Sequence, residues 1–250
     1  MNPISIVGAG PGALDLITIR AQERLKTADV LVWTDSLIPI QITKLVKDDC
    51  EKIKTSSLTL EEILFILIKK HKEGKKIVRL HDGDPCLYGA ISEQICRLND
   101  EGIEVEIIPG ISAYQATAAT LGFELTIPDL TQTIILSRAG GRTGKPKEES
   151  LQKLAAIKSS LCLYLSARHV EEVQSILINY YPANTPVAIA YRVTWPDEWI
   201  KVIPLSEMAK TSKEKKLIRT TLYIISPTLK IGEKRSKLYD PKHSHLFRPN

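Results

Sequence analysis

Three glycine-bearing turns and one basic loop are the places where this sequence could do chemistry. Gly8, Gly10 and Ala13, within Ile4-Ser5-Ile6-Val7-Gly8-Ala9-Gly10-Pro11-Gly12-Ala13, follow an apolar run with the G-x-G-x-x-A spacing of a dinucleotide fingerprint. A tight strand-to-helix turn uses the same residues. Pro11-Gly12 and Leu14-Asp15-Leu16 predict a longer loop than a pyrophosphate site on a helix N-terminus needs. Asp82-Gly83-Asp84-Pro85 is expected at the carboxyl end of a strand, where open α/β sheets place their ligands; a plain loop is the alternative. Pro109-Gly110-Ile111-Ser112-Ala113 again follows a strand and opens a helix that Ser112 can cap. Three such turns would line one edge of one sheet, and their coincidence says more than any one of them. The fourth element, from Arg138 to Lys145, sets Arg138, Arg142 and Lys145 on a glycine-rich loop after a strand. Such a loop suits a large anionic ligand, since guanidinium groups pair with carboxylates through two parallel hydrogen bonds; a solvated loop is the alternative. Arg168 and Arg192 are expected at strand ends on the same side.

The elements that must position these residues follow from hydrophobic periodicity. Strands are predicted over 4–7, 30–33, 76–80 and 104–108, with helices over 16–26, 90–99 and 112–121 between them. Thr59 and Glu62 form a capping box ahead of Ile63, Leu64, Leu67 and Ile68, whose spacing puts them on one face of a helix ending near Gly74. This alternation is the rhythm of a largely parallel sheet. The stretch 122–130, with Pro128, reads as a link, after which strands over 133–137, 160–166, 186–191, 199–203 and 221–226 alternate with helices near 148–157 and 170–179. The expected fold is therefore α/β, with two α/β domains of largely parallel or mixed sheets: residues 1–123 with the glycine loops, and 124–250 with a polar, basic tail from Ile231.

With 250 residues and 43% hydrophobic content the chain can bury a proper core, which argues against disorder. A net charge of +5 is too mild to demand nucleic acid and suits a small anionic ligand or an ordinary basic surface equally. Cys50, Cys86, Cys96 and Cys162 stand far apart with no C-x-x-C pair, as free thiols of a reducing compartment do. His243 and His245 make an H-x-H pair with no sulfur or acidic ligands nearby in sequence, so no metal site is expected. The first residues run straight into a strand, and no segment nears the ~20 apolar residues of a membrane span. A cytoplasmic protein, neither secreted nor membrane-inserted, is expected.

The order Val7-Gly8-Ala9-Gly10-Pro11-Gly12, Gly83-Asp84-Pro85 and Pro109-Gly110-Ile111-Ser112-Ala113 resembles the tetrapyrrole methylase family. Longer strings are similar to the members that methylate carbon 11 of precorrin-4 or cobalt-precorrin-4. These are Thr34-Asp35-Ser36-Leu37-Ile38-Pro39, Gly83-Asp84-Pro85-Cys86-Leu87-Tyr88-Gly89, Ser137-Arg138-Ala139-Gly140-Gly141-Arg142-Thr143, Leu163-Tyr164-Leu165-Ser166-Ala167-Arg168 and Leu238-Tyr239-Asp240-Pro241. The resemblance spans nearly the whole chain and implies methyl transfer from S-adenosyl-L-methionine to an anionic tetrapyrrole in cobalamin biosynthesis. It also implies a cofactor cleft between two domains, and a homodimer. Carried over residue by residue, it puts cofactor contacts on Pro11, Asp82, Gly83, Asp84, Leu87, Ser112, Ala113, Leu165, Val193 and Thr221, with Arg138, Arg142 and Lys145 receiving the substrate's carboxylates. Asp35 is the candidate general base or charge stabiliser, although related uroporphyrinogen methylases carry an aspartate one position earlier. The competing oxidoreductase reading needs an acidic ribose ligand about twenty residues after the glycines, and the nearest, Asp29, reads as lying before the second strand rather than at its end. A non-enzymatic corrinoid carrier is the other alternative.

Overall fold

Four of the first five strands, β1 (Ile4–Gly8), β2 (Val30–Trp33), β4 (Ile77–His81) and β5 (Val105–Ile108), arise from short apolar, β-branched runs. With β3 (Glu51–Lys54) they form an all-parallel sheet of order β3-β2-β4-β1-β5. The structure, a computed structural model, describes residues 2–140 and 144–230. β1, β2 and β4 are buried along their whole length, as central parallel strands covered on both faces must be. Alternate residues point to opposite faces. Val7, Leu31, Trp33, Val78 and Leu80 join Ala21 and Leu25 of α1 (Ile19–Thr27) in one apolar layer. Ile4, Val30, Val32 and Ile77 join Ile63, Leu64 and Leu67 of α2 (Leu60–Lys72) and Leu98 of α3 (Ser92–Asp100) in the other. The expected capping box is present, with the Glu62 N–H donating to Thr59 Oγ1 and the Thr59 N–H to Glu62 Oε2 at 2.7 Å. Helix α4 (Ala113–Leu121) follows β5.

The second sheet has the order β6-β7-β10-β8-β9, built from β6 (Ile134–Arg138), β7 (Ser160–Tyr164), β8 (Pro186–Tyr191), β9 (Trp199–Pro204) and β10 (Thr221–Ile225). β6 and β7 are parallel, whereas β10 runs antiparallel to β7 and β8, and β9 antiparallel to β8, so this sheet is mixed. Leu161, Leu163, Val187, Ile189, Tyr223 and Ile225 pack with residues of α5 (Leu151–Ala156), α6 (Val170–Leu177) and α7 (Met208–Glu214). Both α/β sheets thus match the expected class.

Differences from the expected elements have local causes. The helix expected from residue 16 begins at Ile19, because Leu14–Leu16 is a separate 3-10 turn and the Thr18 hydroxyl accepts the Ala21 N–H as N-cap. The segment near 148–157 breaks into a 3-10 turn and the short α5. β3 and α7 carry weak signals: β3 is a mostly exposed edge strand, and α7 buries only Met208 and Ser212. Contacts group the chain into two units, Met1–Ala116 with Arg192–Asp197, and Thr117–Tyr191 with Glu198–Asn250. The division falls inside α4, a few residues ahead of the 123/124 boundary expected from Pro128 and its neighbours. No helix among the described residues is long and apolar enough to cross a membrane.

Candidate active site

In the first unit the strand order makes the three glycine turns neighbours, because they leave the carboxyl ends of β4, β1 and β5, which are adjacent. They are joined backbone to backbone. The Gly10 N–H donates to Gly83 O at 3.2 Å and the Gly83 N–H to Gly10 O at 3.0 Å, while the Ala9 N–H reaches His81 O at 2.7 Å. A Cβ on Gly8 would lie 2.6 Å from Gly83 O, and one on Gly110 only 2.1 Å from the same oxygen, so both positions exclude a side chain. Gly83 differs. Its φ of +55° is left-handed, and a Cβ there would meet nothing nearer than Ser112 Cα at 3.7 Å. The Asp84 carboxylate staples the second and third turns together, accepting the Cys86 N–H at 2.8 Å and the Gly110 N–H at 3.0 Å. His81, buried at the end of β4, is held neutral, its pKa pushed down to about 3 by burial and by the Arg79 charge.

The next strand along this edge, β2, delivers Asp35. Its carboxylate accepts the Ser56 N–H and the Ser56 hydroxyl, both at 3.0 Å. Partial burial works to raise its pKa, but these two bonds and the Lys54 charge prevail and hold the carboxyl below its usual range. The segment 192–197, which contacts assign to this unit, grips the first glycine turn. Trp195 Nε1 donates to Pro11 O at 3.1 Å and the Ala13 N–H donates to Thr194 Oγ1 at 2.9 Å. The Arg192 guanidinium lies 4.9 Å from the Trp195 ring centroid and pairs with Asp197. A Cβ on Gly12 would fall 2.4 Å from Trp195 Cδ1, so the tryptophan's seat requires glycine.

The second unit carries its own cluster. Arg138 ends β6, and its guanidinium donates to Gly140 O at 2.8 Å and Gly144 O at 2.9 Å. Lys145 Nζ donates to Ser137 Oγ at 2.8 Å and Arg138 O at 3.1 Å, and burial lowers its pKa. Both cations therefore hold the loop onto the end of β6. Leu165 follows β7 with φ +52° and leaves 67% of its surface exposed. A left-handed leucine costs about 1–2 kcal/mol, and such strain gathers at functional sites. Ser166 fixes the turn, since its hydroxyl accepts the Ala139 N–H at 2.9 Å and donates to Tyr164 O at 2.6 Å. Thr221 opens β10, whose antiparallel pairing of Tyr223 with Leu163 brings it to the same edge.

A family model, Tetrapyrrole (Corrin/Porphyrin) Methylases, matches residues 3–209. The chain belongs to the tetrapyrrole methylase family. A cobalt-precorrin-4 C(11)-methyltransferase of Priestia megaterium is 42% identical to it over 248 residues, covering 97% of this chain and 96% of its own. A precorrin-4 C(11)-methyltransferase of Pseudomonas aeruginosa is 37% identical, covering 98% of each. The X-ray structure of a cobalt precorrin-4 methyltransferase, described as a cobalamin biosynthetic enzyme, superposes with a TM-score of 0.88 at 39% identity, over 91% of this chain and 96% of that one.

In this tetrapyrrole methylase the residues singled out in the sequence fall into two groups. Pro11, Asp35, Asp82, Gly83, Asp84, Leu87, Ser112, Ala113 and Val193 lie in the first unit, and Arg138, Lys145, Leu165 and Thr221 in the second. Arg142, the Leu238-Tyr239-Asp240-Pro241 string, His243 and His245 lie outside the described residues. Arg168 sits in an exposed turn after β7, and Arg192 is engaged by Asp197 and Trp195. Asp29 does not serve a dinucleotide: it precedes β2, at the amino edge of the sheet, and binds Lys47 at 2.7 Å and the Lys76 N–H at 2.8 Å. In a parallel sheet that edge is opposite to the glycine turns. Sequence reading missed Ser56, Ser166, Thr194 and Trp195, which are polar or aromatic residues in loops with no periodic signal. Trp195-Pro196 between two strands is the one local hint, since a tryptophan in a loop needs a packing partner.

Proposed function

We propose that this tetrapyrrole methylase transfers one methyl group from S-adenosyl-L-methionine to carbon 11 of precorrin-4 or cobalt-precorrin-4, a step of cobalamin biosynthesis. The observation that carries the reading is the similarity to methyltransferases of that name along nearly the whole chain, at 42% and 37% identity. In the first unit the backbone at Gly83 leaves room for a ligand to approach closely, which supports the reading. Pro11, Asp82, Gly83, Asp84, Leu87, Ser112, Ala113 and Val193 would hold the cofactor in the first unit, with Leu165 and Thr221 in the second. When bound, the cofactor supplies a methyl group on a sulfonium, already an activated electrophile. The protein's task is then to present one ring carbon in line at about 3–3.5 Å, with no covalent enzyme intermediate. Arg138, Arg142 and Lys145 receive the peripheral carboxylates, and this grip selects the carbon, because several ring positions have similar nucleophilic character. Asp35, kept anionic by Ser56, serves better to stabilise positive charge developing on the macrocycle than as a strong base. The protein works as a cytoplasmic homodimer and binds no nucleic acid.

The test is to incubate enzyme and precorrin-4 with a cofactor labelled in its methyl carbon and locate the label by carbon NMR. One label at carbon 11 is expected. A label elsewhere, or two methyl groups per macrocycle, would overturn the assignment. S-adenosylhomocysteine is expected to bind one site per chain and raise Tm by mass action, and NADH to do neither.

A further inference from the structure

Beneath the carboxyl edge of the first sheet lies a cation that no catalytic step above uses. Arg79 is 4% exposed, and among the described residues no carboxylate stands within ion-pair distance of it. Burying a charged group without a counter-ion is costly, and leucine or methionine would fill the space without that cost. Its contacts are therefore informative. Nη1 donates to Val32 O at 3.3 Å, to Thr34 Oγ1 at 3.4 Å and to Leu80 O at 3.4 Å, and Nε donates to Gln94 Oε1 at 3.3 Å. Burial brings its pKa down to about 10, against the pull of Asp82, so it remains a cation at neutral pH.

Because a guanidinium only donates, Gln94 must turn its oxygen toward Arg79 and its NH2 away. That NH2 donates to Ala90 O at 3.1 Å. Ala90 ends the loop begun by Asp82, and this loop is strained, with Tyr88 at φ +60° and Ala90 at φ +50°. Non-glycine residues stay in that region only where their surroundings over-determine them. Asp84 pins the loop at its start and Gln94 at its end. On its other side Arg79 holds Thr34, whose neighbour is Asp35.

We propose that Arg79, acting through Gln94, is a positioning residue that holds two loops in register: the Asp82–Ala90 loop, with Asp82, Gly83, Asp84 and Leu87 of the proposed cofactor set, and the turn that presents Asp35. The inference rests on the proposed function for the identity of the ligand. The discriminating variant is Gln94→Glu, which keeps an oxygen facing Arg79, supplies the missing counter-ion and turns the donor to Ala90 O into an acceptor that repels it. Full-length Gln94→Glu and Arg79→Lys are compared with wild type by thermal melting, by calorimetric titration with S-adenosylhomocysteine, and by hydrogen exchange at residues 88–90.

For Gln94→Glu we expect a Tm no lower than wild type, faster exchange at 88–90 and S-adenosylhomocysteine binding weaker by about tenfold, the equivalent of one lost, partly buried hydrogen bond. Arg79→Lys, which keeps the charge but not the fork, is expected to weaken binding as well. Wild-type affinity and wild-type exchange in Gln94→Glu would overturn the proposal and leave a merely structural arginine. If wild type itself fails to bind S-adenosylhomocysteine, the functional reading falls, and the exchange comparison still decides the role of Arg79.

Discussion

At the scale of single residues, the site is governed by which polar atoms are already committed. Asp84, Arg138 and Lys145 look in the sequence like groups aimed at a ligand, and in the structure each also spends hydrogen bonds on its own loop. Asp35 is the sharpest case, because Ser56 both orients its carboxylate and lowers its pKa. Ser56→Ala removes the hydroxyl bond and leaves the N–H bond, so the pKa of Asp35 is expected to rise. Activity that needs the anion is present above that pKa and lost as pH falls through it. The acid limb of the kcat profile should therefore move to higher pH in Ser56→Ala, while Asp35→Asn should lower kcat by about 10²-fold or more and leave S-adenosylhomocysteine affinity intact. An unmoved acid limb would take Asp35 out of the chemistry.

At the scale of elements, one feature carries the carboxyl edge of the first sheet and a second ties its amino edge. Glycines let the three turns meet, but for different reasons. Gly110→Ala forces a Cβ against Gly83 O, a backbone atom that cannot swing aside, whereas Gly83→Ala has room and suffers only the left-handed φ. Urea denaturation should show Gly110→Ala destabilised by about 3 kcal/mol or more and Gly83→Ala by about 1–2 kcal/mol. The second feature is the tie between α1 and β5, in which Arg24 donates from Nε and Nη2 to the two Glu106 oxygens at 2.8 and 3.0 Å. The hydrogen bonds and charge of Arg24 hold the Glu106 carboxyl below its ordinary value of 4.5. Its contribution is thus fully present above about 4.5 and lost as pH falls through the lower folded value. Glu106→Gln should reduce Tm slightly at neutral pH, by the equivalent of less than about 1 kcal/mol because the pair is partly solvated, and the difference should vanish in acid. A difference that persists below the folded pKa would mean the pair acts through packing.

At the scale of the whole molecule, burial predicts reactivity. Cys50 and Cys162 are buried and Cys86 and Cys96 exposed, and burial pushes the Cys162 thiol up to about 12. A thiol reagent at neutral pH should therefore modify two cysteines per folded chain and four in denaturant. Much of this molecule was legible in residue order alone. Apolar runs of β-branched residues marked nine of the ten described strands, Thr59 and Glu62 announced their capping box, and the glycine turns announced the sheet edge, because these signals are local and each is set by neighbours a few positions away. β3 and α7 escaped notice since neither has an apolar periodicity to read. Tertiary structure alone decided the rest. The order β3-β2-β4-β1-β5 made three turns far apart in the chain into neighbours. It also brought Trp195 to Pro11, Ser56 to Asp35, and Arg79 to Thr34 and Gln94. The physical reason is the same in each case: a hydrogen bond or a close packing contact between residues distant in sequence leaves no periodic trace, and exists only once strand pairing has closed the intervening chain.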